Sequence, residues 1–491
     1  MDPLPIATFG RTVAIVVAAV NTEARRDTSR SVLKSEVMTG TDPRGGRRRA
    51  AHARRRGFSK ATEERLAEIG RQLPPPSEAD RKSMAADRAA RLARRLVLGF
   101  AIVAVLALGA GAAVQWLRPV PQPELTGLTT PMHVPGTAPS LPWPATGEAA
   151  LAVQGLGGLG QVRATQPAPI AGLAGVLTAY VVLKDHPISP GVATGPTIAV
   201  TAQTLSAYQA GTAAGQPEVT VAAGESLTEL DALEGLLIDS GNDLATLLAN
   251  WDAGTTSAFV AKMNLAARSL GLSHTHITDP SGADPGTVST PSDLVALGEA
   301  AMRIPVFNQI VSLGETSLPL AGLRYNPNFD LGQDGIVGIA VGSDTATNGC
   351  YLFAAQKTVN GQTITLYGAV LGQSGPNGPN TAAVDAGDAL VKAALPAIAA
   401  VPVFPSGHVV GALSAPWGAS APVMVAQPVT VIAWPGLSVP MTARLDKLTV
   451  PLAAGSAVGV LQVRQGSRVT TTALKSTELL PGPSPSWRIT R

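Results

Sequence analysis

Serine acyl transfer needs a hydroxyl nucleophile and an adjacent base to take its proton. Side chains three residues apart on a helix share a face, so a hydroxyl and an amine at that spacing stand side by side. In Pro169-Ile170-Ala171-Gly172-Leu173-Ala174-Gly175-Val176-Leu177-Thr178-Ala179-Tyr180, positions 172 and 175 have this spacing, and both are glycine. Gly172 offers no hydroxyl and Gly175 no amine. Other chemistries fare no better. His274 and His276 have a metal-like spacing, but no nearby cysteine or carboxylate pair completes a site, so they read as structural and no metal is expected. The run Gly155–Gly160 matches a dinucleotide fingerprint formally. Pro167 and Pro169 follow where a helix must, so it reads as a glycine turn and no cofactor is expected. The single cysteine, Cys350, excludes an intramolecular disulfide and reads as a small buried hydrophobe.

The elements around these residues are legible from periodicity. Ile170–Leu183 is expected to be the central buried helix, with His186 as its capping residue. Leu227–Ile238, Ala245–Trp251 and Leu294–Met302 also read as helices, the last capped by Ser292-Asp293. Thr256–Leu270 carries apolar residues at 3.6-residue spacing through Phe259, Met263, Ala266 and Leu270. Residues 149–153 and Val162 suggest a hairpin. Gly338–Gly342, Tyr351–Ala355 and Thr363–Leu371 read as strands, the last two joined by Asn360-Gly361, a hairpin-turn dipeptide. Thr381–Leu395 reads as a closing helix. Beyond residue 401, short β-like runs broken by Pro and Gly, among them 409–413, 429–433 and 457–463, predict a small β domain over 401–491 in which Trp417 and Trp434 read as core, with a glycan-stacking surface as the alternative.

Charge divides the chain. Residues 1–95 hold 21 Lys and Arg against 11 Asp and Glu, and the remainder holds 16 against 23. The break falls at an apolar run beginning at Leu96, close to the roughly 30 Å of a bilayer core. Arg88, Arg91, Arg94 and Arg95 precede it, which places the N-terminal side in the cytoplasm and the rest outside. The expectation is a disordered basic tail (1–95), a signal-anchor helix (96–117), an extended Pro-rich spacer (118–144) that lifts the next domain off the membrane, and a compact domain (145–398). The basic clusters Arg47–Arg49 and Arg54–Arg56 read as a solvated topogenic tail with no specific nucleic-acid partner. The apolar run Thr12–Val20 is too short to span. Ala110-Gly111-Ala112 offers a cleavage site, and a start at Met84 would leave a short basic leader; both stay open beside the uncleaved anchor.

Residues 142–398 resemble the serine-type D-Ala-D-Ala carboxypeptidases, relatives of the penicillin-binding proteins. The resemblance rests on Leu236-Leu237-Ile238-Asp239-Ser240-Gly241-Asn242-Asp243, similar to that family's Ser-x-Asn motif. It rests also on Phe259–Asn264, Leu270–His276, Asp279-Pro280-Ser281-Gly282 and Ser289–Leu294. It implies a β-lactamase/transpeptidase-like α/β fold, an antiparallel sheet flanked by helices. The implied cleft is lined by residues 172, 175, 240, 242 and 340–343. It also implies that Gly172 and Gly175 stand where a Ser-x-x-Lys pair belongs, and Ala340 and Val341 where a Lys-Thr-Gly motif begins. A reading that puts Val337 at the lysine place still lacks lysine. Ser240 and Asn242 are retained and, with Gly342 and Ser343, are the expected substrate-binding residues. The implied function is an inactive relative that binds peptidoglycan stem peptide or a cell-wall enzyme as regulator or scaffold. The alternatives are an active carboxypeptidase using unrecognised residues, and a structural envelope protein whose cleft binds nothing.

Overall fold

The computed structural model describes residues 77–189, 194–466 and 468–491. The basic clusters at 47–56, the run Thr12–Val20 and Pro74–Pro76 lie outside the described residues. The chain divides into two units at Ala110/Gly111.

The N-terminal unit contains most of helix α1, Glu78–Leu117. Its first eighteen residues belong to the stretch expected to lack structure up to residue 95. Ala, Arg, Leu and Lys dominate them, all strong helix formers, and Lys82 pairs with Glu78 at 3.3 Å across one turn. From Leu96 onward the helix is apolar and its large side chains are exposed, Phe100 at 79%. It is long and apolar enough to cross a membrane.

The C-terminal unit opens on residues 118–144, and here the expectation of a free spacer fails. Strand β1, Glu124–Thr126, pairs antiparallel with residues 412–414. Strand β2, Met132–His133, pairs with Ser438 and Val439. Leu125, Leu128 and Met132 pack on the core of the C-terminal β domain, and Val134 is part of that core. The prolines sit between and beside these short strands, where no ladder hydrogen bond is lost.

The peptidase-like part is built on a five-stranded antiparallel sheet. Strands β3 (Glu148–Val153) and β4 (Gly157–Val162) form the expected hairpin, with Gly155 and Gly157 at positive φ in the turn. A 3-10 turn, Ala171–Leu173, leads into α2, Ala174–Asp185, in which nine of the 12 residues are buried. Helix α3, Ala202–Ala213, has little apolar periodicity and escaped the sequence reading; Thr201 caps it. Helices α4 (Glu229–Ile238), α5 (Asn242–Ala253) and α6 (Thr256–Ser269) pack around α2. Helix α7, Pro291–Ala301, is capped by Thr290, which accepts from the Asp293 N–H. Ser292 and Asp293 do not cap it, because a proline at the first helical position moves the cap to residue 290. The Asp293 carboxylate accepts instead from the His274 N–H and the Thr275 hydroxyl. Helix α8, Pro305–Val311, follows.

Strands β5 (Ile336–Asp344), β6 (Asn348–Val359) and β7 (Gln362–Gln373) complete the sheet in the order β5-β6-β7-β3-β4. Asn360 and Gly361 both take positive φ, as a two-residue hairpin of this hand requires. Helix α9, Pro379–Ala397, packs against β6 and β7, and α7 packs against β7 and β3. The sheet is thereby covered on both sides, which explains the unbroken buried run Gly349–Ala355 in β6.

The β domain begins at Ala399, and its largest sheet runs β1, 409–414, 420–425, 468–476, 457–465, 441–445. Strand 468–476 was not anticipated; its Thr-rich alternation lacks the apolar signal of its neighbours. Trp434 is buried, whereas Trp417 is half-buried and donates to the Pro481 carbonyl at 2.8 Å.

Candidate active site

A cleft of about 750 Å³ opens where the 3-10 turn, the α4–α5 junction and β5 meet. Each wall is held by unusual backbone. Ala171 (φ 47°) and Ser240 (φ 56°) sit in the left-handed region although neither is glycine. Such residues persist where surrounding structure over-determines them, and they cluster at functional sites. Behind the first wall, Gly282 (φ 86°) lies so close to the Ala171 carbonyl that a Cβ there would collide with it. Asp279 holds that segment by accepting from the Ser281, Gly282 and Asp284 N–H groups.

Gly172 and Gly342 face one another with different consequences. A Cβ on Gly342 would lie 2.9 Å from the Gly172 nitrogen and 3.0 Å from its Cα, both backbone atoms that cannot step aside. Only glycine fits at 342. A Cβ on Gly172 would point into the cleft and meet Ser240 Oγ at 3.6 Å and the Gly342 Cα at 3.7 Å, ordinary contacts. A side chain at 172 would therefore stand beside Ser240. Gly175 lies one helical turn deeper, and a Cβ there would meet Leu236 Cδ1 at 3.0 Å.

Of the positions singled out from sequence, Gly172, Ser240, Asn242, Val341, Gly342 and Ser343 line the cleft. Gly175 and Ala340 do not; both are buried, Ala340 within the core around α2. The register Ala340↔Leu352, Val341↔Tyr351, Gly342↔Cys350 puts residues 340–342 opposite the 3-10 turn. A bulge between Ile336 and Gly338 absorbs extra length upstream. It carries Gly338 against Val311 of α8.

The polar groups in the cleft are weakly engaged. Ser240 Oγ donates to the Val341 carbonyl at 3.4 Å, and Asn242 Nδ2 reaches Gln216 Oε1 at 3.5 Å, both at the outer limit for hydrogen bonds. Among the described residues lining the cleft, the charged ones are Asp239 and Asp344. Burial raises Asp239 while Arg324, 3.1 Å away, opposes the shift. Asp344 accepts from the Ala346 and Thr347 N–H groups and the Thr347 hydroxyl.

Two clusters of paired side chains outside the cleft were not read from the sequence, although His186 was expected as a helix cap. Glu218 and Asp243 face each other 25 residues apart in sequence. Burial, a shared hydrogen bond and repulsion from Asp243 push Glu218 up to about 8. The Asp243 N–H donates to Glu218 at 2.8 Å, and Asp243 accepts from the Val219 N–H at 3.0 Å, which ties the 216–219 rim to the start of α5. On the far side of α5, the buried Asp252 carboxylate bridges His186 (2.9 Å) and Lys262 (2.5 Å). His186 occupies the C-cap position of α2, its backbone N–H bonded to the Val182 carbonyl and its ring tilted by 37° against Trp251 at 4.1 Å.

An antiparallel sheet flanked by helices, with a cleft between a buried helix N-terminus, a Ser-x-Asn junction and the edge strand, is the β-lactamase/transpeptidase-like arrangement. The D-alanyl-D-alanine carboxypeptidase family profile, peptidase family S11, matches residues 157–357. Over 104 residues the chain is 46% identical to the D-alanyl-D-alanine carboxypeptidase DacB2 of Mycobacterium tuberculosis, covering 21% of this chain and 35% of that one. A Streptomyces D-alanyl-D-alanine carboxypeptidase is 31% identical over 151 residues, 27% of this chain and 52% of its own. Penicillin-binding protein 5 from Haemophilus influenzae aligns with 71% of this chain and 100% of its own, at 19% identity and a TM-score of 0.49. Residues 157–357 are thus similar to the D-alanyl-D-alanine carboxypeptidases, and the remainder of the chain lies outside that match. These sequence matches span about half or less of the curated relatives' lengths.

Proposed function

We propose that this protein is a membrane-anchored, catalytically inactive member of its family. Its cleft binds peptidoglycan stem peptide or a cell-wall enzyme, and it acts as a regulator or scaffold. In this reading α1 crosses the membrane once, with its N-terminus cytoplasmic and the peptidase-like domain outside. The observation that carries the proposal is the pairing of Gly172 with Ser240 and Gly342. The place beside Ser240 where a nucleophile would stand holds no side chain.

Losing a nucleophile or base in a serine hydrolase lowers the rate by on the order of 10⁶. Here the missing groups compound. Gly175 supplies no amine, Ala340 no cation and Val341 no hydroxyl. Ser240 does not substitute, because the contact it makes is to a carbonyl, which accepts a hydrogen bond but takes no proton. Gly172 and Ser343 line the cleft, and in this reading their backbone N–H groups donate to a peptide carbonyl.

Fluorescent penicillin separates this reading from an active enzyme. We expect no adduct that survives denaturation, and a covalent adduct on the wild-type chain would overturn the proposal. Retention of the full-length protein on purified peptidoglycan, or of a wall enzyme on the protein, is the expected positive result. Absence of both would leave a structural envelope protein instead.

A further inference from the structure

The last turn of α1 and the C-terminus meet in one cluster. Helix α10, Pro485–Thr490, reaches it through one ring contact, Arg488 over Trp116, and the final residue hydrogen-bonds to it. Arg491 donates from Nη2 to the Arg118 carbonyl at 2.6 Å and from Nη1 to the Pro119 carbonyl at 3.2 Å. Gln115 Nε2 donates to the Arg491 carbonyl at 2.7 Å. The Arg488 guanidinium lies 5.2 Å over the Trp116 ring, and that of Arg491 lies 5.2 Å over Trp487. Trp417 meets Trp487 edge-on at 5.9 Å. Three tryptophans and three arginines from three distant parts of the chain thus surround the point where the apolar helix ends. None of Arg118, Arg488 and Arg491 takes a carboxylate partner among the described residues. Beside them Leu117 and Ile489 are exposed, at 80% and 46%.

A tie serving stability alone does not need exposed apolar side chains beside guanidinium groups that lack a carboxylate partner. That combination suits a headgroup layer: tryptophan favours the membrane–water boundary, and arginines near the surface attract anionic lipid. We propose that this cluster is a collar that seats the β domain on the phosphates of anionic lipids where α1 leaves the membrane. The inference rests on α1 crossing the bilayer. It also gives residues 118–134 a role opposite to that of a spacer: they hold the β domain down.

The test uses the full-length chain in lipid nanodiscs, with tryptophan quenching by phosphatidylglycerol or phosphatidylcholine brominated high on the acyl chain. Alkaline carbonate extraction of vesicles is run in parallel. We expect stronger quenching by the anionic lipid, lost in the Trp116→Phe/Trp487→Phe variant. Anionic enrichment should fall by about fivefold for each arginine removed. Arg491→Gln disturbs its hydrogen bonds as well, so Arg488→Gln, which alters only a ring contact, is the decisive variant. Equal quenching by both lipids, or an unchanged preference in Arg488→Gln, overturns the collar. Absent quenching in a carbonate-resistant protein overturns the collar and leaves the membrane span standing. Release by carbonate overturns both.

Discussion

The pairing of Gly172 with Gly342 makes an asymmetric prediction. An alanine Cβ at 342 would sit 2.9 and 3.0 Å from backbone atoms of residue 172, against an optimum of about 3.5–4.0 Å for carbon contacts. Relief requires β5 or the 3-10 turn to move by several tenths of an ångström, and overpacking of this kind costs about 1–3 kcal/mol. At 172 the added methyl meets nothing closer than 3.6 Å and removes the entropy of an unfolded glycine. Gly172→Ala should therefore stabilise by about 0.5–1 kcal/mol. In a domain of this size each kcal/mol moves the melting temperature by about 2–4 °C. Thermal unfolding of the full chain in detergent should show Gly342→Ala melting well below wild type and Gly172→Ala at or slightly above it. Equal losses in the two variants would refute the claim that the space beside Ser240 is empty while that beside Gly172 N is full.

Other outcomes follow from the same geometry. Gly172→Ser, Gly175→Lys, Ala340→Lys and Val341→Thr together should regain penicillin acylation. Leu236→Ala should raise the yield further, because Leu236 Cδ1 lies 3.0 Å from where a Cβ at 175 would be; folded protein unlabelled in both forms counts against the cleft geometry. Stability should fall as pH rises from the ordinary carboxyl range near 4.5 to about 8. Over that window the folded chain keeps a proton on Glu218 that the unfolded chain has released, so each step favours unfolding. Glu229, raised by burial to about 7, adds to the same slope. Urea midpoints across this range should decline, less steeply in Glu218→Gln; a flat profile in wild type removes the argument. Asp252→Ala removes the carboxylate from His186 and leaves Lys262 paired with Asp185 alone; with both cations about a third exposed, stability should fall by about 1 kcal/mol, read by the same melts.

Much of the site was legible because it lies in short, locally encoded segments. Ser240 and Asn242 follow an apolar helix whose 3.6-residue spacing is visible, and Asn360-Gly361 dictates its own turn. Helix α3 was not legible, since its alanines and polar residues declare no buried face. The Glu218–Asp243 pair was invisible for another reason: only a fold that brings residues 25 apart together desolvates two carboxylates at once.

By itself the sequence determined which side chains are absent. A glycine carries no hydroxyl and no amine wherever it is placed; that positions 172 and 175 are the ones to compare is what the family resemblance implies. It also determined the apolar length of α1 and the strands and helices that bury their own periodic faces. Tertiary structure alone decided where the absences matter. Gly342 must be glycine because a second backbone approaches it, whereas Gly172 opens on a cleft that would admit a side chain. Tertiary structure likewise turned parts of residues 118–134 from a spacer into strands, because edges far away in sequence, Leu413 opposite Leu125 and Val439 opposite Met132, supplied hydrogen bonds and an apolar face that no local pattern encodes.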